Sequence, residues 1–177
     1  MKTIQHKFKN YENEKNIEKL ILGTFNPLTP ENKADFFYGR SHNFLWNLLP
    51  QVFGNLKLKN TEKEERIEFI KKNKIGFLDL IAEVQVDDGH EKNYADDYID
   101  AKVTKWHDFE SFLKTHKDLK KVFFTRKTFK GIPNIANQIE YIKTICSNNK
   151  IEFYLLPTPA RFENGKKLVE WKKIFDL

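Results

Sequence analysis

The sequence has a single cysteine and no long apolar run, and both scarcities limit what the protein can be. Cys146 is the one cysteine among 177 residues, which excludes a disulfide framework within the chain and a four-cysteine zinc or iron–sulfur site. No stretch of about 18 apolar residues occurs, so we expect no membrane span. The first residues, MKTIQHKFKNYENEKN, lack the apolar segment that a secretory signal needs. We therefore expect a protein of the reducing cytoplasm.

Several signatures of nucleotide and metal chemistry are also missing. The chain has neither a Gly-x-Gly-x-x-Gly stretch nor a Walker loop, so no dinucleotide or P-loop site is predicted. A zinc deaminase needs paired cysteines, which this chain lacks. The segment GTFNPLT would suit a nucleotidyltransferase, but the His-x-Gly-His turn expected after it is replaced by LTPENKADFFYGRSH, in which His42 stands alone. We expect an enzyme that uses neither metal nor cofactor.

Positive charge exceeds negative charge and is unevenly spread. Lysine and arginine number 31 against 25 aspartate and glutamate, for a net charge of +6. Basic residues cluster around Lys114–Lys130 and Lys166–Lys173, whereas Val86–Asp100 is acidic. A basic surface favours a polyanionic partner, because neutralised phosphates release counterions. Many basic enzymes never touch nucleic acid, so the charge by itself does not decide the partner.

Short apolar runs alternate with helical patterns along the chain. The runs predict strands over Lys19–Gly23, Gly76–Ile81, Lys121–Thr125 and Glu152–Leu156. Between them, Thr61 and Glu64 form a capping-box pattern, and Pro133 suits the first turn of a helix. Strands that alternate with helices indicate a parallel sheet covered on both faces. We therefore predict one α/β domain over residues 1–177, with three α/β/α layers around a central, mainly parallel four-stranded sheet.

In such sheets ligands bind beyond the carboxyl ends of the strands. The loops at that edge are predicted to be Phe25–His42, Ala82–Tyr94, Arg126–Pro133 and Pro157–Gly165. The segment Asp87–Tyr98 is expected to be irregular. These loops are where a functional site should be sought.

Three segments, taken in order, resemble the uracil-DNA glycosylase superfamily. They are LILGTFNP, FFYGRSHNFLWNLLPQVFG and LLPTPARF. The hypoxanthine-DNA (deoxyinosine) glycosylases have an aromatic pair, here Phe37-Tyr38, before an Asn that Asn43 matches. The mismatch-specific uracil/thymine-DNA glycosylases have an Asn-Pro pair, matched by Asn26-Pro27, whose Asn positions the attacking water. The sequence departs from these patterns where GRSH replaces His-Pro-Arg and where the third segment lacks a serine cluster.

The resemblance implies an enzyme that removes a deaminated base, uracil or hypoxanthine, from duplex or single-stranded DNA. Such an enzyme extrudes the base from the stack, so it needs an aromatic surface, polar groups for the base edge and a placed water. The expected catalytic residues are Asn26, which would hold the water, and Asn43, which would meet the base edge. The expected base-binding residues are Phe25, Phe37 and Tyr38, and the expected DNA-binding residues are Arg40, His42, Arg126, Lys127, Thr158 and Arg161. We expect a monomer.

Each expected site residue also has a simpler interpretation. Asn43 could cap the following helix, since Asn is a favoured N-cap, and Asn26 could be a turn former. Phe37 could belong to the core. The basic residues after the third strand could form a solvated charged face rather than a phosphate track.

Two further alternatives concern charged residues and the function as a whole. Arg161 could fill the gap left by an extruded base, or it could pair with Glu163 or solvent. Asp79, after the second predicted strand, could assist water activation or cap a loop. The alternative function is a nucleic-acid-binding module without catalysis. A lyase or a DNA-independent nucleoside hydrolase is a more remote third alternative.

Overall fold

The computed structural model describes residues 1–161 and 165–175. The strands are β1 (Lys2–Gln5), β2 (Lys19–Gly23), β3 (Ile75–Asp79), β4 (Ile81–Val86), β5 (Val103–Trp106), β6 (Lys121–Phe124) and β7 (Glu152–Leu155). The helices are α1 (Leu45–Val52), α2 (Lys63–Lys72), α3 (Asp96–Ile99), α4 (Phe109–Thr115), α5 (Pro133–Asn148) and α6 (Gly165–Phe175).

The predicted four-stranded parallel sheet is confirmed. Its order is β3-β2-β6-β7, and every neighbouring pair of strands is parallel. The second predicted strand ends two residues early, at Asp79, because the chain turns at Leu80 and Ile81 already belongs to β4. The carboxyl ends of all four strands therefore meet at one edge, as the predicted architecture requires.

Helices cover both faces of this sheet, which explains why β2 is apolar from Leu20 to Leu22. Leu20, Ile21 and Leu22 are each 0% exposed, and their side chains alternate between the two faces. Leu20 and Leu22 belong to a core with the apolar stripe of α5. Ile21 belongs to a second core, shared with side chains of α1, α2 and α6. The sheet is thus the middle of three layers.

A second sheet, which the sequence reasoning missed, joins this framework. It is antiparallel, in the order β1-β4-β5, and β4 occupies part of the predicted loop Ala82–Tyr94, so that prediction is wrong over residues 82–86. Val84 and Val86 are buried while Gln85 is exposed, the alternation of a strand with one covered face. The main chain of β1 continues along β4 until the His6 nitrogen donates to the Ala82 oxygen at 2.9 Å. The chain's first residues thereby reach the edge of the sheet where the loops meet.

The acidic segment before β5 is more ordered than predicted. It contains α3 and a 3₁₀ turn over Asp100–Lys102. The Asp100 carboxylate accepts hydrogen bonds from the backbone nitrogens of Asn134 at 3.0 Å and Ile135 at 2.7 Å, so it caps α5, whose first residue is Pro133 as predicted. The prediction of a capping box at Thr61 is wrong. The Thr61 hydroxyl donates to the Leu58 oxygen, and α2 begins at Lys63.

Candidate active site

A cleft of about 560 Å³ lies at the carboxyl ends of the parallel strands. Its walls are formed by the loops that follow β2, β4, β6 and β7, together with Asp79 at the end of β3. Of the residues expected to act in catalysis or binding, those lining it are Phe25, Asn26, Tyr38, Arg40, Asn43, Arg126, Lys127, Thr158 and Arg161. Residues far apart in the sequence are therefore brought to one site.

Asn26 lies on the loop that leaves β2 and is 6% exposed. Its side-chain oxygen accepts a hydrogen bond of 2.5 Å from Asn32, whose amide nitrogen also contacts the Pro27 oxygen at 2.7 Å. The Asn26 backbone oxygen accepts from the Lys7 nitrogen at 2.7 Å. Asn26 is thus part of a turn, as the simpler interpretation held. An amide oxygen carries two lone pairs, so one remains for a water in the cleft.

Asn43 combines a structural contact with a place in the cleft wall. Its side-chain oxygen accepts from the Leu45 backbone nitrogen at 3.0 Å, which satisfies an amide at the start of α1. Asn43 is not the N-cap, however, because the N-cap of α1 is Phe44; its oxygen closes a turn one residue before the helix. The amide nitrogen is the part of the side chain left for a ligand, and it donates hydrogen bonds only. A carbonyl oxygen on a base edge would suit it.

Main-chain hydrogen bonds join the third segment of the family resemblance, LLPTPARF, to the second, FFYGRSHNFLWNLLPQVFG. Asn43 and Ala160 form an antiparallel bridge: the Phe44 nitrogen donates to the Pro159 oxygen at 2.9 Å, and the Arg161 nitrogen donates to the His42 oxygen at 3.0 Å. Arg161 has a φ of 75°, an uncommon left-handed conformation for a residue with a side chain. Its side chain is exposed at the cleft, and its predicted alternative partner, Glu163, lies outside the described residues.

Thr158 lies earlier on the same loop. Its hydroxyl accepts from the Ala160 nitrogen at 3.2 Å, so it contributes to the shape of the turn. The exposed side chain also lines the cleft. The loop after β7 is therefore fixed by two sets of contacts: the Thr158 hydrogen bond within it and the bridge to Asn43 at its end.

The three aromatic residues expected to bind a base have different environments. Phe37 is 3% exposed and stacks on Phe77, with ring centroids 5.5 Å apart. It belongs to the core, as its simpler interpretation held, and this position does not fit contact with a base. Phe25 is half-buried and lines the cleft, as does Tyr38. The aromatic surface of the cleft is therefore supplied by Phe25 and Tyr38.

Tyr38 has a φ of 57°, and its hydroxyl lies 3.1 Å from the Thr125 hydroxyl at the end of β6. Burial, and then the nearby carboxylate of Asp79, raise the pKa of Tyr38 well above its ordinary value. The phenol therefore stays protonated at neutral pH and keeps its hydrogen as a donor.

Gly23, the last residue of β2, lets Asp79 and Tyr38 approach the main chain. A Cβ atom placed on Gly23 would lie 2.1 Å from Asp79 Oδ1 and 2.6 Å from the Tyr38 hydroxyl oxygen. Side-chain atoms at those distances overlap, so this position requires glycine. The glycine of the first motif thus makes room for a carboxylate.

Asp79 ends β3 and is the strongest candidate for chemistry at the cleft floor. It is 4% exposed, and its Oδ2 lies 2.7 Å from Nε2 of His6, which is 1% exposed. The Phe8 nitrogen donates to His6 Nδ1 at 3.2 Å, so Nδ1 is the unprotonated nitrogen and Nε2–H donates to Asp79. The sequence reasoning named Asp79 only as an alternative and missed His6. The signal that could have found His6 is the alternation of Ile4, His6 and Phe8, typical of a strand.

A second histidine, His107, follows β5 and contacts both Asp79 and His6. Nδ1 of His107 lies 2.7 Å from the Asp79 backbone oxygen, and the rings of His6 and His107 meet edge to face at 5.3 Å. Burial, and then His6, lower the pKa of His107. His107 is therefore neutral at physiological pH.

The predicted phosphate contacts after β6 are occupied by acidic partners. Arg126 forms an ion pair with Asp96, and Lys127 forms one with Glu170. Burial raises the pKa of Asp96, although Arg126 opposes the shift. Asp96 also lines the cleft and was missed, because it lies in the segment expected to be irregular. These two cations are less available to DNA than the sequence suggested.

Two other predicted DNA contacts, Arg40 and His42, lie on the loop between β2 and α1. The Arg40 guanidinium lies over the Tyr94 ring, 5.3 Å from its centroid. His42 is exposed and lines a neighbouring recess. Over residues 1–161 and 165–175, no cluster of three His, Cys, Asp or Glu side chains could hold a metal ion. Over the same residues, no helix has the length and apolar character needed to cross a membrane.

Comparison with solved structures identifies a protein of the same fold. The chain is similar to the solution NMR structure of a "putative Uracil DNA glycosylase" from Methanosarcina acetivorans, with a TM-score of 0.62. The similarity covers 92% of this chain and 91% of the other, at 21% sequence identity. No protein-family model matches the chain, and no curated protein sequence matches it. The similarity confirms the three-layer, uracil-DNA glycosylase-like fold.

Proposed function

We propose that the protein is a DNA glycosylase that hydrolyses the N-glycosidic bond of a deaminated base, uracil or hypoxanthine. The observation that carries the proposal is the buried Asp79 carboxylate, hydrogen-bonded to His6 at the carboxyl edge of the sheet, in a cleft that Asn26 and Tyr38 also line. The fold shared with the Methanosarcina acetivorans protein supports the same reaction class. The cleft has the volume of a small-molecule site and can hold one extruded base with its sugar.

The reaction needs opposite charges at the two ends of the bond that breaks. As the bond between the sugar and the base nitrogen lengthens, positive charge builds on the sugar and the electron pair leaves with the base. A buried carboxylate such as Asp79 stabilises the positive sugar because the surroundings screen it little. A water then bonds to the sugar carbon and gives its proton to Asp79, while Asn26 orients that water through its free lone pair.

The departing base is met by donors and an aromatic surface. The amide nitrogen of Asn43 donates to a base carbonyl oxygen, which gains negative charge as the bond breaks. Phe25 and Tyr38 supply the surface on which the extruded base rests. Uracil and hypoxanthine both present a carbonyl oxygen where cytosine and adenine carry an amino group, so a donor at this place favours the deaminated bases.

The test is an excision assay on oligonucleotides that contain uracil, hypoxanthine, xanthine or a G·T mismatch, in duplex and single-stranded form. Abasic products are revealed by alkaline cleavage. We expect excision of uracil or hypoxanthine, and loss of most activity in Asn43→Ala with the fold retained. A protein that leaves every base intact across salt and pH contradicts the proposal.

The alternative is a nucleic-acid-binding module of the same fold without catalysis. One observation favours it: the side-chain oxygens of Asn26 and Asn43 both bond to the protein itself. Tight binding of these oligonucleotides without excision would support this alternative. A monomeric state, a cytoplasmic location and independence of metals stay predictions.

A further inference from the structure

A second recess adjoins the cleft and is larger, about 930 Å³. Tyr38, Arg40, Asn43 and Ala160 line both cavities, so their contents would be neighbours. The rest of the second cavity is lined mainly by polar and cationic residues. We call the following set of its basic and polar side chains, which includes the shared Arg40, the basic recess: Lys33, Arg40, Ser41, His42, Lys59 and Asn60.

The cations of the basic recess differ from those beside the cleft in having no acidic partner. Within the part of the chain that the structure describes, Lys33, Arg40 and Lys59 form no ion pair with a carboxylate. The one acidic residue in the lining, Glu31, is bound by Lys92 at 3.2 Å. The recess therefore presents uncompensated positive charge next to a site proposed for DNA.

One of these cations is held in place by the protein. The Lys59 ammonium donates to the Ser41 backbone oxygen at 2.6 Å and lies 3.7 Å from the centroid of the Phe44 ring. A lysine fixed in this way loses little further side-chain freedom when it binds an anion. Lys33 and Arg40 are exposed and line the recess from the loop between β2 and α1. Charge thus faces the cavity from two segments of the chain.

We propose that the basic recess binds the phosphodiester backbone and flanking nucleotide of the strand whose base enters the cleft. The identity of the strand as DNA rests on the proposed function. Phosphate contacts fix the register of a nucleic acid on a protein, and here they would hold the neighbouring nucleotide while one base is extruded. The shared wall at Asn43 and Ala160 would separate the two nucleotides.

The first experiment measures binding of a fluorescent, undamaged single-stranded oligonucleotide over a series of salt concentrations. The test variant is Lys33→Gln with Lys59→Gln, and Lys33→Gln alone covers the case in which loss of Lys59 unfolds its loop. The control is Lys114→Gln with Lys117→Gln. Lys117 lies in the connection from α4 to the amino end of β6, at the opposite edge of the sheet, and the control removes the same charge.

Each phosphate neutralised on a single strand contributes about 0.7 to the slope of log K against log salt. We therefore expect the slope to fall by about 0.7 for Lys33→Gln and about 1.4 for the double variant, and to stay unchanged in the control. Equal slopes in the test and control variants would overturn the proposal. Competition by inorganic phosphate as effective as competition by the unlabelled oligonucleotide would also overturn it, since it would reveal a simple anion site.

Binding of undamaged DNA does not depend on excision, so the two proposals can fail separately. Suppose that the test variant shows a smaller slope of log K against log salt but the wild-type protein excises no base. The glycosylase proposal is then refuted, and the basic recess stands as a nucleic-acid site. If the wild-type protein excises bases and the variants bind like the control, the recess is refuted and the glycosylase stands.

Discussion

Asp79 shows how a single carboxylate is prepared for chemistry. His6 occupies one of its oxygens, Gly23 leaves space beside the other, and the side chain lies at the floor of the cleft. A charge buried this deeply needs partners, because burial alone disfavours the ionised form. The hydrogen bond from His6 is such a partner.

Asp79→Asn should abolish most excision while DNA binding persists. The amide keeps the size of the side chain and can still accept from His6, but the negative charge is lost. Removal of a general base typically slows a reaction by about 10²- to 10⁴-fold, so we expect single-turnover rates to fall in that range with little change in Kd. Asp97→Asn, at an exposed position on α3, is the matched control. A variant as fast as the wild type would show that Asp79 is structural.

His107 should make stability depend on pH in the mildly acidic range. Its pKa is lowered in the folded protein, so the unfolded chain takes up a proton first as the pH falls below about 6.5. Its contribution to stability is therefore complete above that pH and is lost as the pH falls toward the lowered value. Urea unfolding of wild type and His107→Gln should show a shallower pH dependence in the variant. Parallel curves would mean that His107 does not carry this effect.

At the scale of elements, the parallel strands could be predicted and the antiparallel ones could not. After a first lysine, β2 and β6 are continuous apolar runs, because both of their faces are covered. β1 and β5 are short and largely exposed, so their sequences resemble loops, and only pairing with β4 fixes them. The alternation of Ile4, His6 and Phe8 indicates a strand, but the role of His6 depends on a contact with Asp79, 73 positions away, which no local pattern shows.

The site residues divide in the same way. Motif order placed Asn26, Asn43 and Arg161 at one sheet edge, because the ends of parallel strands converge there. Sequence could not show that Phe37 lies against Phe77 in the core while its neighbour Tyr38 turns toward the cleft, because that depends on the left-handed backbone at Tyr38. Nor could it show that Arg126 is paired with Asp96.

The loop Pro157–Arg161 is the element suited to enter DNA. Its end is pinned by the bridge between Asn43 and Ala160, and the Arg161 side chain is exposed. Extrusion of a base costs a few kcal/mol of stacking, part of which a long planar cation can recover in the gap. Arg161→Ala should therefore reduce excision from duplex DNA more than from single strands, which have no gap. Rates measured on both substrates decide this, and an equal loss on each contradicts a wedge.

For the whole molecule, net charge is a poor guide to where DNA binds. The basic residues after β6 are partly neutralised by Asp96 and Glu170, although their sequence looked most like a phosphate track. The unpaired cations of the basic recess come from segments that are less basic in sequence. Salt sensitivity of DNA binding is therefore expected to follow Lys33 and Lys59 more closely than Lys127.

The position of His6 at the end of an edge strand also ties activity to local unfolding. β1 has four residues and pairs along β4, whereas the buried β2 lies between β3 and β6 in the parallel sheet. Edge strands open at a lower free energy than the core, so warming should separate His6 from Asp79 while the parallel sheet is still intact. We expect excision to fail several degrees below the melting temperature, with amide hydrogen exchange at Ile4 faster than at Ile21. Coincident inactivation and melting would show that the two sheets open as one unit.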